Sequence, residues 1–290
     1  MNIIFIFKAI YATTAVAFST LFIKDLRKKP FMQERASIVI SGLIGGIAYF
    51  LDTLGIGSFA TSTVMLRTFK QVPDKNLPGT LNVTSVLPIL LEAFILIGVI
   101  QVDPLTIVTM VTAACIGAWI GASIVHKLPE QRIRLIISIA LFIAASIQLL
   151  RQTNIVPIEY TGAIGLTGIK LIIAILASAV IGALGALGIG GYAPLLALAL
   201  TLGLSSRAMF PIMSSSAALG GGFASIKFFK TGAYERKASL AMTIVALLGV
   251  VIAAYIVKTL PLNILTWIVI GVIYYTSITL FLSGSGSRKL

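Results

Sequence analysis

The apolar run from Leu171 to Leu202 contains Gly182-Ala-Leu-Gly-Ala-Leu-Gly-Ile-Gly-Gly-Tyr-Ala-Pro194. No other stretch restricts the fold as much. A helix does not pass smoothly through glycine at 182, 185, 188, 190 and 191, and Pro194 suits the first turn of a new helix. The run therefore reads as two short helices joined by a glycine break. Each arm is expected to fall short of the about 20 apolar residues that span a bilayer. Together they make a hairpin that enters the membrane, turns at mid-depth and leaves on the same side. Broken backbone at that depth is tolerated where it is buried in protein or lines a cavity, and a binding site is the usual reason for it.

The feature recurs. Leu54-Gly55-Ile56-Gly57-Ser58-Phe59 matches Leu187-Gly188-Ile189-Gly190-Gly191-Tyr192 at a constant offset. The same offset carries Pro78 onto Pro211 and, after slipping by one, Pro129 onto Pro261. The chain is expected to hold one lone helix followed by two copies of one unit, as many secondary transporters do. The alternative is that the glycines only let helices pack closely. Break, aromatic residue and prolines recur in order, which favours the repeat.

Composition sets the solvent. The 290 residues are 58% hydrophobic and 11% charged, with a mean hydropathy of +1.05. This is an integral, helical membrane protein with no stretch polar enough to fold as a soluble domain. A net charge of +13 would fit nucleic acid in a soluble protein. Here basic cytoplasmic loops account for it, and the partner is the lipid bilayer, not nucleic acid. One cysteine, Cys115, and one histidine, His126, leave no disulfide framework and no thiolate metal site. No metal or cofactor is expected. His126, beside Lys127, reads as an interfacial residue.

Residues 1–36 read as an extra transmembrane helix and a basic loop. Its charges (Lys24, Arg27, Lys28, Lys29) follow the apolar run, unlike those of a signal peptide. Lys8 is close enough to the start to snorkel. The first repeat covers 37–151, with the first hairpin from Ser37 to Phe69 and spans at 81–101, 104–125 and 133–150. A polar linker covers 152–168. The second repeat covers 169–283, with spans at 208–226, 239–257 and 262–282, and 284–290 form a tail. The expected fold is an all-α polytopic membrane protein. It has about seven transmembrane helices, two re-entrant glycine-broken helical hairpins and two inverted-topology repeats.

Charge supports the hairpins. With the N-terminus outside and each hairpin returning to its own side, the inner side receives Lys24 to Arg35, Arg67 to Lys75, Lys127 to Arg134, Lys227 to Lys237 and the cytoplasmic C-terminus. The outer side receives only Arg151, Lys170, Arg207 and Lys258. This is the positive-inside pattern of a multi-pass inner (plasma) membrane protein. Reading each hairpin as one full crossing would scatter it. The two hairpins then enter from opposite sides and their tips meet near the midplane.

At each tip a new helix begins, and a helix N-terminus offers about four free N–H groups and roughly half a positive charge. Two of them suit an anion without a buried Lys or Arg. The candidate binding residues are Gly55, Gly57 and Ser58 at the first tip and Gly188, Gly190, Gly191 and Tyr192 at the second. Asn82, Ser214 and Ser215 are added from the spans that follow, Ser215 standing at the repeat position of Asn82. The alternative is that the hydroxyls bond back to their own helix. Asp52, before the first break, and Glu92, in mid-span, are candidate proton- or cation-coupling groups, since carboxylates inside a membrane are costly and functional by default. Asp52 has Gly185 at its repeat position, so it breaks the symmetry. Glu92 is alternatively a neutral, hydrogen-bonded side chain. A carrier of cations centred on Asp52 and Glu92 shares the fold and reverses the site's role. An intramembrane enzyme lacks parts: there is no His-Glu-x-x-His and no Gly-x-Ser-x-Gly.

The residues from Gly182 to Pro194, with Leu202-Gly-Leu-Ser-Ser-Arg207-Ala, Thr231-Gly232 in a basic loop, and Val257-Lys-Thr-Leu-Pro261, resemble the TauE/SafE family of sulfite and organosulfonate exporters. Gly42 to Ser58 and His126-Lys-Leu-Pro129 form a fainter first copy. The first copy departs from the pattern at Ser58, at Thr61 (where the second has Pro194) and at Asp52. The resemblance implies export of sulfite or a related sulfur anion by a membrane transporter.

Overall fold

The computed structural model describes residues 3–28, 31–54, 57–97, 101–125, 127–153, 163–188, 190–192 and 202–256, with single positions at 195 and 198 and scattered positions from 267 to 282. Among these the secondary structure is helical, apart from one isolated bridge between Ala163 and Leu204. The helices are α1 (Ile3–Leu26), α2 (Ile38–Thr53), α3 (Ser58–Thr68), α4 (Leu77–Leu96), α5 (Pro104–Val125), α6 (Glu130–Gln152), α7 (Gly168–Ala186), α8 (Ser206–Thr231) and α9 (Arg236–Ile256).

Six of them, α1, α4, α5, α7, α8 and α9, are long and apolar enough to cross a membrane. The expected spans at 133–150 and 262–282 are not among the six. The first falls in α6, of 23 residues, many of whose side chains lie outside the described residues. The second is helical at its described positions, from Trp267 to Leu282.

One expectation is corrected. α2 and α3, with 16 and 11 residues, are too short to span. α7 has 19. It starts at Gly168 and runs through Gly182 and Gly185 before stopping. Gly182 is tolerated because it packs: a Cβ there would strike the Ala114 carbonyl of α5. The break therefore begins at Leu187, where Leu187 and Gly188 turn their N–H groups onto the carbonyls of Leu184 and Gly185.

Hydrogen bonds define the two ends of the bundle. At one end, the Ser37 N–H donates to Gln71 Oε1 at 2.7 Å. Ser37 caps the start of α2 and Gln71 follows the end of α3, so the pair leaves from and returns to this end. The end of α1 and the starts of α4 and α9 join them. Arg236 Nε donates to Asp25 Oδ2 at 2.9 Å, Tyr234 to the same oxygen at 2.6 Å, and Asn76 Nδ2 to Glu235 Oε1 at 2.9 Å. At the opposite end, the Ser205 N–H donates to Ala163 O and the Asp103 N–H to Ile164 O, both at 2.8 Å. The chain ahead of α7 thus lies beside the chain ahead of α8. The segment holding α7 and the second break also begins and finishes at one end, the other one.

α2 packs along α9, and α7 along α5; α4 crosses α8 at the centre, flanked by α9 and α5. Small residues permit the close pairs. A Cβ on Gly45 or Gly249 would overlap the carbonyl of Met242 or Gly46, and one on Gly117 or Gly121 that of Ala179 or Ala183. The most apolar window around α4 is 78% buried, against 17% for α1. α1 is an outer helix, held by Phe18 and Phe22 against Phe229 of α8.

Candidate functional site

Between α2 and α3 the chain turns through Gly57, whose φ of 95° is the left-handed value that favours glycine. Gly55 lies outside the described residues. The Ser58 N–H at the start of α3 donates to Asp52 Oδ1 at 2.7 Å. A helix N-terminus favours an acceptor oxygen, and here that oxygen belongs to the protein's own Asp52 carboxyl.

At the second break Gly188 also has a left-handed φ, 88°. Gly190 lies against the first break: a Cβ there would be 3.1 Å from that of Phe59. The two breaks are therefore in contact. Helix resumes at Tyr192, and the Leu195 N–H donates to Gly191 O at 3.0 Å. The Tyr192 hydroxyl donates to Glu92 Oε1 at 2.7 Å, and its ring stands edge-on to Phe210. The structure thus brings Asp52, Ser58, Gly190, Tyr192 and Glu92 together from three separate parts of the chain.

The chemistry of this cluster is unusual. Asp52 and Glu92 are each 1% exposed and lie within electrostatic reach of one another. Neither has a Lys or Arg partner among the described residues. Asp52 Oδ2, Glu92 Oε2 and Ser58 Oγ are buried without a hydrogen-bond partner. Buried polar atoms are nearly always satisfied, so three orphans in one place single this cluster out as a candidate site. Tyr49, fully buried, faces Ser58 and Ser85.

The remaining predicted donors are already engaged. Asn82 Nδ2 donates to Pro78 O at 2.8 Å, and reaches Gly185 O and Ala186 O at 3.2 and 3.3 Å. It closes the end of α7. Ser214 donates to Phe210 O at 2.6 Å and Ser215 to Pro211 O. Both serines bond back to their own helix, as hydroxyls in helices commonly do. Asn82 and Ser215 thus use carbonyls at matched positions, Pro78 and Pro211. The Tyr11 hydroxyl is hydrogen-bonded to Ser215 Oγ. The Thr84 and Ser216 hydroxyls stay buried without partners.

Two residues were not foreseen. Tyr49 precedes Asp52 by three positions on α2, a spacing that shares a helix face and was legible. Tyr11 sits on the lone first helix, 204 positions from its partner, and nothing local marks it.

Broken helices that meet inside a bundle of membrane-length helices, around buried carboxyls, define a polytopic membrane transport protein. Residues 2–148 match the family model described as sulfite exporter TauE/SafE. The chain belongs to this family. The matched range holds α1 to α5, most of α6 and the first break. The second-copy motif, from Gly182 to Pro194, lies beyond it. No curated protein and no solved structure matches the chain.

Proposed function

We propose that the protein is a secondary transporter that exports a small sulfur oxyanion, sulfite or a related organosulfonate, by alternating access. One observation carries the reading: the broken segments arise from opposite ends of the bundle and touch at Gly190 and Phe59. That is the relation expected of two inverted, re-entrant hairpins. The packing agrees, because exchanging the two halves turns the pair of α2 and α9 into that of α7 and α5 and maps the crossing of α4 and α8 onto itself. On this reading the repeats are 37–151 and 169–283, the N-terminus is outside, and the basic end faces the cytoplasm.

Substrate and Asp52 compete for one place. The N-terminus of α3 holds the Asp52 carboxylate in this conformation. A proton on Asp52 would remove its charge and weaken its hold on the Ser58 N–H, so that an incoming anion can displace it, with Gly190, Gly191 and Tyr192 at the facing tip. Without a coupled proton, a monovalent anion leaving a negative-inside cell gains about 2.3 kcal/mol per 100 mV. With one, transport becomes electroneutral and follows pH.

A second reading has its own support. Two buried carboxyls with orphan oxygens and no basic partner need a proton or a cation to offset their charge. A cation- or proton-coupled carrier of another small solute would use them directly. Purified protein in liposomes separates the two. Sulfite efflux driven by an imposed potential or pH gradient supports the first. No movement of sulfite, thiosulfate or sulfoacetate, with a response to sodium or pH alone, would sink it.

A further inference from the structure

A second polar region lies at the basic end, away from the breaks. A cleft of about 870 Å3 opens between the start of α2 and the end of α3, lined in part by Arg35, Arg67 and Lys70. Arg67 is neutralised by Asp74, 3.0 Å away. The side chains of Arg35 and Lys70 are exposed and have no ion-pair or hydrogen-bond partner among the described residues. Glu34 and Glu235 also line the cleft and match Arg35 and Lys70 in number, but their oxygens are held by neutral donors, which leaves the two cations as the groups open to a ligand. Glu34 accepts the Lys237 N–H and Glu235 accepts Asn76.

The position of Lys70 is telling. α3 ends with the Lys70 N–H on Arg67 O and the Gln71 N–H on Leu66 O. This ending requires a left-handed residue, and glycine is the usual choice. Lys70 occupies it at φ 51°. The turn would be less strained without its side chain, so the ammonium is not there for the turn.

A second observation links the cleft to the site. The hydroxyls of Ser62 and Thr63 on α3 are fully buried and, like that of Ser58, have no hydrogen-bond partner. Some helical hydroxyls in this chain bond to the carbonyl four residues back, as those of Thr61, Thr109 and Ser123 do, and others, on Thr84, Ser178, Ser216 and Ser239, are buried without a partner as well. Ser62 lies one turn after Ser58, and Thr63 one turn before Arg67. Unsatisfied donors therefore run along α3 from the cleft to the first break.

We propose that this cleft is a docking site for a small oxyanion, held by Arg35 and Lys70 before it passes along α3 to the breaks. The inference rests on the transport reading above, and on that topology the cleft faces the cytoplasm. Two parallel measurements test it: equilibrium binding of sulfite to the detergent-purified protein at low ionic strength, and sulfite flux in liposomes. The double variant Arg35→Gln/Lys70→Gly is expected to weaken binding at least fivefold and to raise KM with little change in maximal rate. Lys70→Gly alone should keep or raise the melting temperature, which a structural lysine would not. Equal sulfite binding by wild type and double variant overturns the docking site, whatever the flux. Binding lost in the double variant, with no flux in wild type, keeps the cleft as an anion site and overturns the transport reading alone.

Discussion

The Ser58 N–H donates to Asp52 Oδ1 at 2.7 Å, so the carboxylate that ends α2 also caps α3. Asp52→Ala removes the acceptor and leaves that N–H buried and unpaired. Losing such a cap costs about 1 kcal/mol, read as a lower melting temperature. Asp52→Asn keeps an acceptor oxygen and should fold as wild type. In the proposed exporter it transports with a flattened pH profile; in a cation carrier it would stop binding altogether. Flux measured across pH for wild type and Asp52→Asn decides between them.

Tyr192 and Glu92 tie the second break to α4. Tyr192→Phe leaves Glu92 Oε1 without its donor, and Glu92 already has one orphan oxygen. An unsatisfied buried acceptor costs about 1–3 kcal/mol. Lower stability and slower transport are expected; the double variant Tyr192→Phe/Glu92→Ala should recover the stability, since no orphan acceptor is left, but not the transport, since the break is still untied. Transport restored in the double variant would mean that the bond is not what positions the break.

Much of this site was legible in the sequence, and what was not shares one physical cause. The breaks, Asp52 as a misplaced acid and the matched prolines are local features, set by glycine's conformational freedom and by the cost of charge in lipid. The pairing of Tyr192 with Glu92 joins residues 100 positions apart, and the closure of α7 by Asn82 joins residues 103 apart. Neither leaves a periodicity or spacing. The extent of α7 was misjudged for the same reason. Glycine at 182 shows its helix-breaking cost in the sequence, whereas the Ala114 carbonyl that rewards it lies on another helix.

That contrast is testable glycine by glycine. Gly117→Ala and Gly182→Ala would each place a Cβ on a facing carbonyl, at Ala179 and Ala114. Overpacking of this kind costs about 1–3 kcal/mol. Gly185 is also helical but has nothing within 4 Å of where a Cβ would stand. Gly185→Ala is expected to be neutral or to stabilise by about 0.5–1 kcal/mol. Melting temperatures of the three variants should separate in that order. A loss at Gly185→Ala as large as the others would mean that the residue serves the break itself.

Glu235 lies just before α9, outside the apolar span, and gives the basic end its own pH dependence. Burial and then the nearby Glu34 push its carboxyl above the ordinary value of 4.5, against the Asn76 hydrogen bond and the Arg236 charge, which pull it down. The folded protein therefore holds this proton at pH values where the unfolded chain has released it. Stability from this group is present below about 4.5 and declines as pH rises from there through the raised value. Glu235→Gln keeps an acceptor for Asn76 and cannot ionise. Its melting temperature, compared with wild type across that window, should fall less as pH increases. Parallel curves for the two proteins would show that the Glu235 charge is not disfavoured in the fold.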